Sequence, residues 1–336
     1  MRVFITGIGG LLGTHLAARL ISEGWQITAL VRNQLSEENA KQNLKHFGAL
    51  SEAQIANMAF VHGSLDQTWL YTSYLTDVNA LVHCAGMVSF HATDRQELYR
   101  NNVLGTARIV DAALEAGVPY FVHISSVATL CSVRGNSHIS EKPLDAPTGK
   151  KSVYASSKYL AEREVWRGIE EGLQAVILNP SVILGFHDWN KSSAAMFRTA
   201  ANGIRFYTQG VTGFVLVEDV SEAIVKSIEK KITSERIIIS AGNFSFREIF
   251  SEMAKGFGQK EPDVHAGPWM SKAYVLLSGI WGLINGKKPL VTAESARSAH
   301  AIRQFDNSKS LQLLHMRYGD IMHLLVGLCE KYRQKI

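Results

Sequence analysis

A doubly wound α/β fold, a parallel sheet with helices on both faces, is predicted by three observations. Short apolar runs alternate with amphipathic helical stretches through the first half of the chain. The first of these runs passes straight into a glycine pattern, Gly7, Gly10 and Gly13, and then into a helical period with Leu12, Leu16 and Leu20 on one face. At 336 residues the chain can bury a large core, so its three scattered cysteines, none in a CxxC, are not needed as staples. The alternation implies parallel strands joined by right-handed crossovers.

The elements follow in order. Arg2–Thr6 is an apolar run suited to a buried parallel strand, and Gly24 stops the helix that begins at Leu11. Gly7 permits a tight turn, Gly10 lets backbone approach a pyrophosphate, and Gly13 lets the helix lie close on the sheet. The phosphates of a dinucleotide then face free helix N–H groups, as in a Rossmann-type fold. A glycine triplet alone could be an ordinary strand-to-helix turn; its flanking strand and helix favour the binding site. Residues 25–31 form a second strand that ends in Arg32. Arg32 lies about 20 residues past the last glycine, where an acid would grip the ribose of NAD and an arginine would accommodate the extra phosphate of NADP. Glu37 and Glu38 come later, so NADP is expected, NAD is possible, and a solvated strand-end arginine is the plainer alternative.

Residues 34–57 read as a long polar crossover and 58–62 as a strand; Asp66 follows, placed to cap a helix or to meet an adenine. A fourth strand, 78–84, runs into Ala85 and Gly86, small enough for backbone to lie against a cofactor, and then into a pocket wall of Met87 to His91. A helix is expected over 97–115, a fifth strand over 120–124, a functional loop over 132–149, a helix over 152–171 and a sixth strand over 173–178. Beyond Pro180 the pattern loosens: helices over 194–202, 219–230 and 246–256, strands over 213–217 and 236–240, then mostly helices from Pro268 to an amphipathic 318–333. The division expected is a dinucleotide domain over 1–185 and, over 186–336, mostly a smaller C-terminal α/β substrate lobe with some segments returning to the sheet.

Tyr154 and Lys158, in YASSK, are four apart and share a helix face. A tyrosine near pKa 10 is too weak an acid for proton exchange at neutral pH, and a neighbouring ammonium is expected to lower it. Beside a nicotinamide such a tyrosine can give a proton to a carbonyl oxygen as hydride arrives at carbon, with Ser126 at the fifth strand's end hydrogen-bonding the same oxygen. Alone, the Tyr-x-x-x-Lys pair could be a surface ion-and-phenol pair; a strand-ending serine before it and a glycine fingerprint upstream point to catalysis.

The segments TGIGGLLG, NNVLGT, HISSVAT, YASSK and LNPSVILG, in this order, resemble the extended short-chain dehydrogenase/reductase superfamily, often called the NAD-dependent epimerase/dehydratase family. The dipeptide Val31-Arg32 and QFDNSKSLQLL near Gln304 are similar to its dihydroflavonol 4-reductase-like carbonyl reductases. The resemblance implies Ser126, Tyr154 and Lys158 as a catalytic triad, with Asn102 as the asparagine of the proton relay. Ser126 is preferred to Ser125 because SSVAT aligns its second serine with the family's. Gly7, Gly10, Leu11, Leu12, Gly13, Arg32, Asp66, Ala85, Gly86, Tyr154, Lys158 and Pro180 are implied at the cofactor. A homodimer pairing the 97–115 and 152–171 helices is implied as possible. The LQLLHMRYGD segment lacks the usual Leu-Gly continuation, so a distinct substrate lobe is expected.

Met87, Val88, Phe90, His91 and Leu130, with the stretch from Trp269 to Trp281, are expected to line a moderately apolar substrate pocket, though each could be ordinary core. The expected activity is therefore NADP-dependent reduction of an aldehyde or ketone. A nucleotide-sugar epimerase or dehydratase that keeps NAD is the alternative; it would need second-lobe cations such as Arg198 and Arg205. A non-catalytic dinucleotide sensor would have no use for an intact serine, tyrosine and lysine set. No metal site is expected, since the 12 histidines include no HExxH and no close cluster, and His83, His91 and His123 read as packed or strand-edge residues. The net charge of +5 is interleaved with acids, so no nucleic-acid stripe is read. The apolar run 273–285 is short of the roughly 20 residues that cross a bilayer and reads as a core or lid helix, and a cytoplasmic location is expected.

Overall fold

Side chains alternate across a strand, so Val3 and Ile5 face one side of the central sheet and Phe4 the other, and each side needs its own cover. In the computed structural model, which describes residues 1–130, 137–142, 152–285 (backbone alone for 277–285) and 292–334, both covers are present. Seven strands pair in parallel in the order Glu235–Ile239, Ala175–Pro180, Phe121–Ile124, Ala80–His83, Arg2–Thr6, Gln26–Val31, Ala59–His62. On one face Leu12, Leu16 and Leu20 of helix Leu11–Ser22 pack with Val220 and Ile224 of helix Val217–Lys230. On the other, Ile109, Val110 and Ala113 of helix Gly105–Glu115 meet Val165 of helix Val153–Glu170. The chain starts mid-sheet, winds outward twice, then crosses back, so the strand order reverses between Arg2–Thr6 and Ala80–His83. A crevice at such a reversal, beyond the carboxyl ends of the strands, is where open α/β sheets bind ligands.

Several boundaries differ from expectation, each for a local reason. The crossover 34–57 is two helices, Gln34–His46 and Glu52–Ala56, because Ser51 and Gln54 form a capping box that starts a second helix. Helix 97–115 begins earlier, at Arg95, and includes a π-helical stretch, Tyr99–Leu104, before Gly105–Glu115. The sixth strand runs on to Pro180, which pairs at the sheet edge with Ile239. Helix 318–333 begins at Ile321, where Asp320 accepts from the Met322 and His323 amides at 3.0 and 3.3 Å.

The rest of the chain carries a three-stranded sheet of Gly242–Ser245, Val211–Leu216 and Val182–Leu184, and the two-residue pairs Phe206–Tyr207 with Val264–His265 and His138–Ile139 with Gln304–Phe305. Runs this short carry no period, which is why most went unread. Phe197, Phe214, Ile249, Met253 and Leu325 form a separate core there. The Tyr332 hydroxyl ties the last helix to it, donating to the Gly185 carbonyl and accepting from the His187 amide, both at 2.9 Å. Helix Pro268–Asn285 departs from the expected core role in its described side chains: Trp269, Tyr274 and Leu276 are exposed. The expected 132–149 loop, apart from 137–142, lies outside the described residues, as do Cys131 and the Trp281 side chain. Among the described residues no helix is long and apolar enough to cross a membrane.

Candidate active site

Thr6 and His83 stand opposite each other at the ends of the two switch-point strands, and the chain after each builds one wall of the crevice. Gly7 takes φ +79°, and a Cβ there would lie 2.6 Å from the Ala85 nitrogen, so turn and neighbour both demand glycine. A Cβ on Gly13 would lie 2.3 Å from the Gly7 oxygen, so the helix start packs against the turn itself where the sequence led one to expect the sheet. Gly10 differs from both. It is the N-cap of Leu11–Ser22, no side chain caps that helix, and a Cβ there would meet nothing nearer than the Gly7 oxygen at 3.4 Å. An uncapped helix start with an open glycine in front fits a pyrophosphate. Leu11 is half-buried at this start, and the Leu12 side chain points into the core.

Arg32 is exposed at the end of its strand and has no ion pair among the described residues. Neither acid after it is free to replace it: Glu37 is taken by Lys41 and by His62 at 2.6 Å, and Glu38 accepts from Gln34 at 3.2 Å. Asp66 does not cap a helix, which corrects one of its two readings. Its carboxylate is held by Arg100 at 3.0 Å and by Arg108, and the Thr68–Leu70 turn that follows has no side-chain cap. Across the crevice, a Cβ on Gly86 would stand 3.7 Å from both Lys158 Nζ and Asn102 Oδ1. Ala85 donates its amide to the Thr6 hydroxyl at 3.2 Å. Pro180 is buried at the end of its strand.

Helix Val153–Glu170, capped by Ser152 through the Ala155 amide at 2.8 Å, carries Tyr154 and Lys158. The Tyr154 phenol is hydrogen-bonded to Ser126. The two candidate serines separate here: Ser125 is buried and donates its hydroxyl to Glu162, which leaves Ser126 to meet the tyrosine. The expected acidification of the phenol is corrected. Burial pushes Tyr154 above the ordinary tyrosine value and the Ser126 bond draws it only part of the way back. The Lys158 ammonium, one helical turn on, donates to the Ile124 carbonyl at 2.7 Å. Lys158 itself is pushed down to about 8 by burial, with Glu162 and Cys84 acting upward.

Asn102 sits in the π-helical stretch, a distortion often found at functional sites. Its Oδ1 accepts from the Met87 amide at 2.7 Å, and its Nδ2 donates to the Met87 carbonyl and the Ser157 hydroxyl, both at 3.0 Å. Ser157 in turn donates to the Tyr154 carbonyl at 2.8 Å, so Asn102 fastens the loop after Gly86 to the helix of Tyr154. Beneath it His83 bridges the hydroxyls of Thr6 at 2.7 Å and Thr106 at 3.1 Å, and Thr106 donates to the Asn102 carbonyl at 2.6 Å. Burial, aided by Lys158, lowers His83 to about 3 and His123 well below the ordinary imidazole value, so both rings are neutral.

Of the expected pocket residues, Phe90 is brought to the tyrosine, its ring edge-on to Tyr154 at 5.8 Å between centroids. Val88 is exposed, Met87 and His91 are half-buried, and the His91 amide donates to the Ser89 hydroxyl at 3.2 Å. Leu130 instead packs with Val127, Ile139, Ile238 and Phe305. The sequence reading passed over Glu162 and Asn179. The signal was available for Glu162, which continues the four-residue spacing of Tyr154 and Lys158.

The class these features define is an NAD(P)-dependent oxidoreductase of the extended short-chain dehydrogenase/reductase type. The profile of the NAD dependent epimerase/dehydratase family matches residues 3–240, and the chain belongs to that family. It is 26% identical over 329 residues to a Synechocystis protein described as "Putative dihydroflavonol 4-reductase", covering 96% of this chain and 92% of that one. The crystal structure of gox2253 superposes with a TM-score of 0.78 at 26% identity, covering 99% of this chain and 98% of its own. A UDP-glucuronic acid 4-epimerase from Bacillus cereus, solved with UDP-glucuronic acid and NAD, has a TM-score of 0.75 with full coverage of both chains; at 17% identity it shares the fold.

Proposed function

We propose that this protein reduces a carbonyl to an alcohol with NADP as its cofactor. The observation that carries this reading is the meeting of Ser126, Tyr154 and Lys158 beside Gly86, across the crevice from an open glycine turn. The Gly7 to Gly13 turn and the Leu11 and Leu12 amides would hold the pyrophosphate, and Arg32 the 2′-phosphate. When bound, the nicotinamide supplies the hydride. Tyr154 is held neutral, which suits a proton donor: as the carbonyl carbon gains hydride, the C=O π pair moves to oxygen and the tyrosine proton follows it. Ser126 holds that oxygen in line. Lys158, buried and charged at neutral pH, stabilises the phenolate left behind, and Asn102 fastens the loop after Gly86 to the helix of Tyr154. In this reading residues 1–185 hold the dinucleotide and 186–336 supply most of the substrate lobe, with Glu235–Ile239 returned to the central sheet.

The substrate is a small, moderately apolar aldehyde or ketone set against Phe90, Val88 and Met87. The nucleotide-sugar alternative is weaker because Arg198 is already engaged with Asn190 at 2.5 Å and Arg205 faces Asp263. Calorimetric titration with NADPH and NADH, then a panel of aldehydes and ketones followed by loss of nicotinamide absorbance, tests the reading. NADPH preference with turnover of at least one carbonyl is expected. Tight NADH binding with no carbonyl turned over, and conversion of a nucleotide-sugar instead, would replace it.

A further inference from the structure

We propose that Glu162 is a positioning residue of the active site, one buried carboxylate that fixes the backbone of Ser126 and stands one helical turn from Lys158. The inference rests on the reading of Ser126, Tyr154 and Lys158 given above. Glu162 is 1% exposed, two helical turns beyond Tyr154 and one beyond Lys158 on the same face. Buried carboxylates are rare unless every oxygen is partnered. Here Oε1 accepts from the Ser125 hydroxyl, from Thr129 Oγ1 at 2.8 Å and from Asn179 Nδ2 at 2.6 Å, while Oε2 faces the Arg236 guanidinium at 3.3 Å.

Two of those partners also lie on the catalytic serine's own backbone, Thr129 with its one hydroxyl proton between the two acceptors and Asn179 with an amide that carries two. The Ser126 carbonyl lies 2.9 Å from Thr129 Oγ1 and 3.0 Å from Asn179 Nδ2. Glu162 therefore acts on Ser126 through Thr129 and Asn179, and touches no reacting atom. The same carboxylate opposes the burial that drives Lys158 toward neutrality. The groups around Lys158 are His83, Cys84 and His123 at the adjoining strands and Tyr154 and Glu162 from its own helix; both histidines are neutral, burial raises the Cys84 thiol to about 12 and the Tyr154 phenol above its ordinary value, and Glu162 is the carboxylate among them. Arg236 draws on that charge from the opposite side, so its loss should act in the reverse sense.

The test uses the full chain labelled with 13C and 15N at lysine, the Lys158 signal being assigned by its absence in Lys158→Arg. The Glu162→Gln variant keeps the size of the side chain and removes its charge. Lys158 should then titrate lower by about 1 pH unit or more, the scale of losing one nearby opposite charge. The alkaline limb of kcat/KM for NADPH-dependent reduction should move to lower pH by the same amount, with KM for NADPH little changed. Arg236→Gln, which does not depend on that variant folding, should move both upward. Unchanged Lys158 titration in both variants, whether or not activity falls, would overturn the proposal, since a purely structural role lowers activity without moving the titration. A wild-type protein with no reductase activity would instead remove the functional reading, and the NMR titration would still decide the coupling.

Discussion

The glycine turn predicts a separation between stability and cofactor binding that two alanine substitutions can measure. At Gly13 the added methyl would stand 2.3 Å from the Gly7 oxygen and 2.7 Å from the Ile8 Cα, both backbone atoms. Neither can swing aside like the end of a side chain, so the helix or the turn must retreat until ordinary contact, 3.4 Å or more, is restored. Overpacking of this kind costs about 1–3 kcal/mol. For a large single domain that is a fall in Tm of roughly 2–4 °C per kcal/mol. Because the same shift spoils the helix start, NADPH binding falls with it. At Gly10 the methyl meets nothing closer than 3.4 Å, and φ is −87°, open to any residue. The fold loses only the difference between glycine and alanine at an N-cap, about 0.5 kcal/mol. The methyl stands where the pyrophosphate must come, however, and the affinity for NADPH should fall on the order of 10- to 100-fold, the scale of losing one or two charge-assisted hydrogen bonds. Thermal unfolding of the apo-protein and fluorescence titration with NADPH read the two quantities separately. Gly10→Ala binding NADPH as tightly as wild type would refute the placement of the cofactor, and Gly13→Ala unfolding at the wild-type temperature would refute the packing argument.

Three further outcomes follow from the same geometry. Tyr154→Phe should still bind NADPH but lose carbonyl reduction by about 10²–10⁴-fold, the usual contribution of a positioned proton donor; steady-state kinetics with a reduced carbonyl checks this. Arg32→Gln should weaken NADPH binding on the order of tenfold or more while leaving NADH unaffected, read by calorimetry; equal losses for both cofactors would count against a 2′-phosphate contact. Lys158 stands at about 8 in the fold against 10.5 ordinarily, so between pH 8 and pH 10.5 the unfolded chain binds more protons and stability rises with pH. Below pH 8 the cost of burying the ammonium is present in full. Lys158→Met should therefore unfold at a higher temperature than wild type at pH 7, with the gap closing toward pH 10.5; a variant less stable at pH 7 would contradict the burial argument.

What the sequence made legible was whatever a local period or a steric demand writes into consecutive residues. Gly7 and Gly13 could be given separate jobs before any coordinates because one must turn and the other must make room, and both demands exclude a side chain. The central strands announced themselves as apolar runs, since each is covered on both faces. Tyr154 and Lys158 were visible as a pair because helical spacing places them together. The missing parts are those whose cause lies far off in the chain. Asp66 reads from the sequence as a cap or an adenine contact, and the cap fails because Arg100 and Arg108, from a helix beyond the fourth strand, hold its carboxylate. The direction of the Tyr154 shift was hidden for a related reason: spacing places Tyr154 and Lys158 on one helix face, but burial, which no spacing reports, dominates the phenol.

Glu162 is the instructive intermediate. Its position four residues after Lys158 is written in the sequence, whereas its partners Ser125, Thr129, Asn179 and Arg236 come from three separate stretches that only the sheet brings together. A carboxylate in that helix face could have been read as one more solvated charge. What distinguishes it is that every group it holds either bears on the Ser126 carbonyl, adjoins Ser126 in the chain or balances its charge against Lys158. The site is thus built in two layers: hydroxyl, phenol and ammonium lie at the crevice, and behind them a single buried anion sets the position of one and the charge of another.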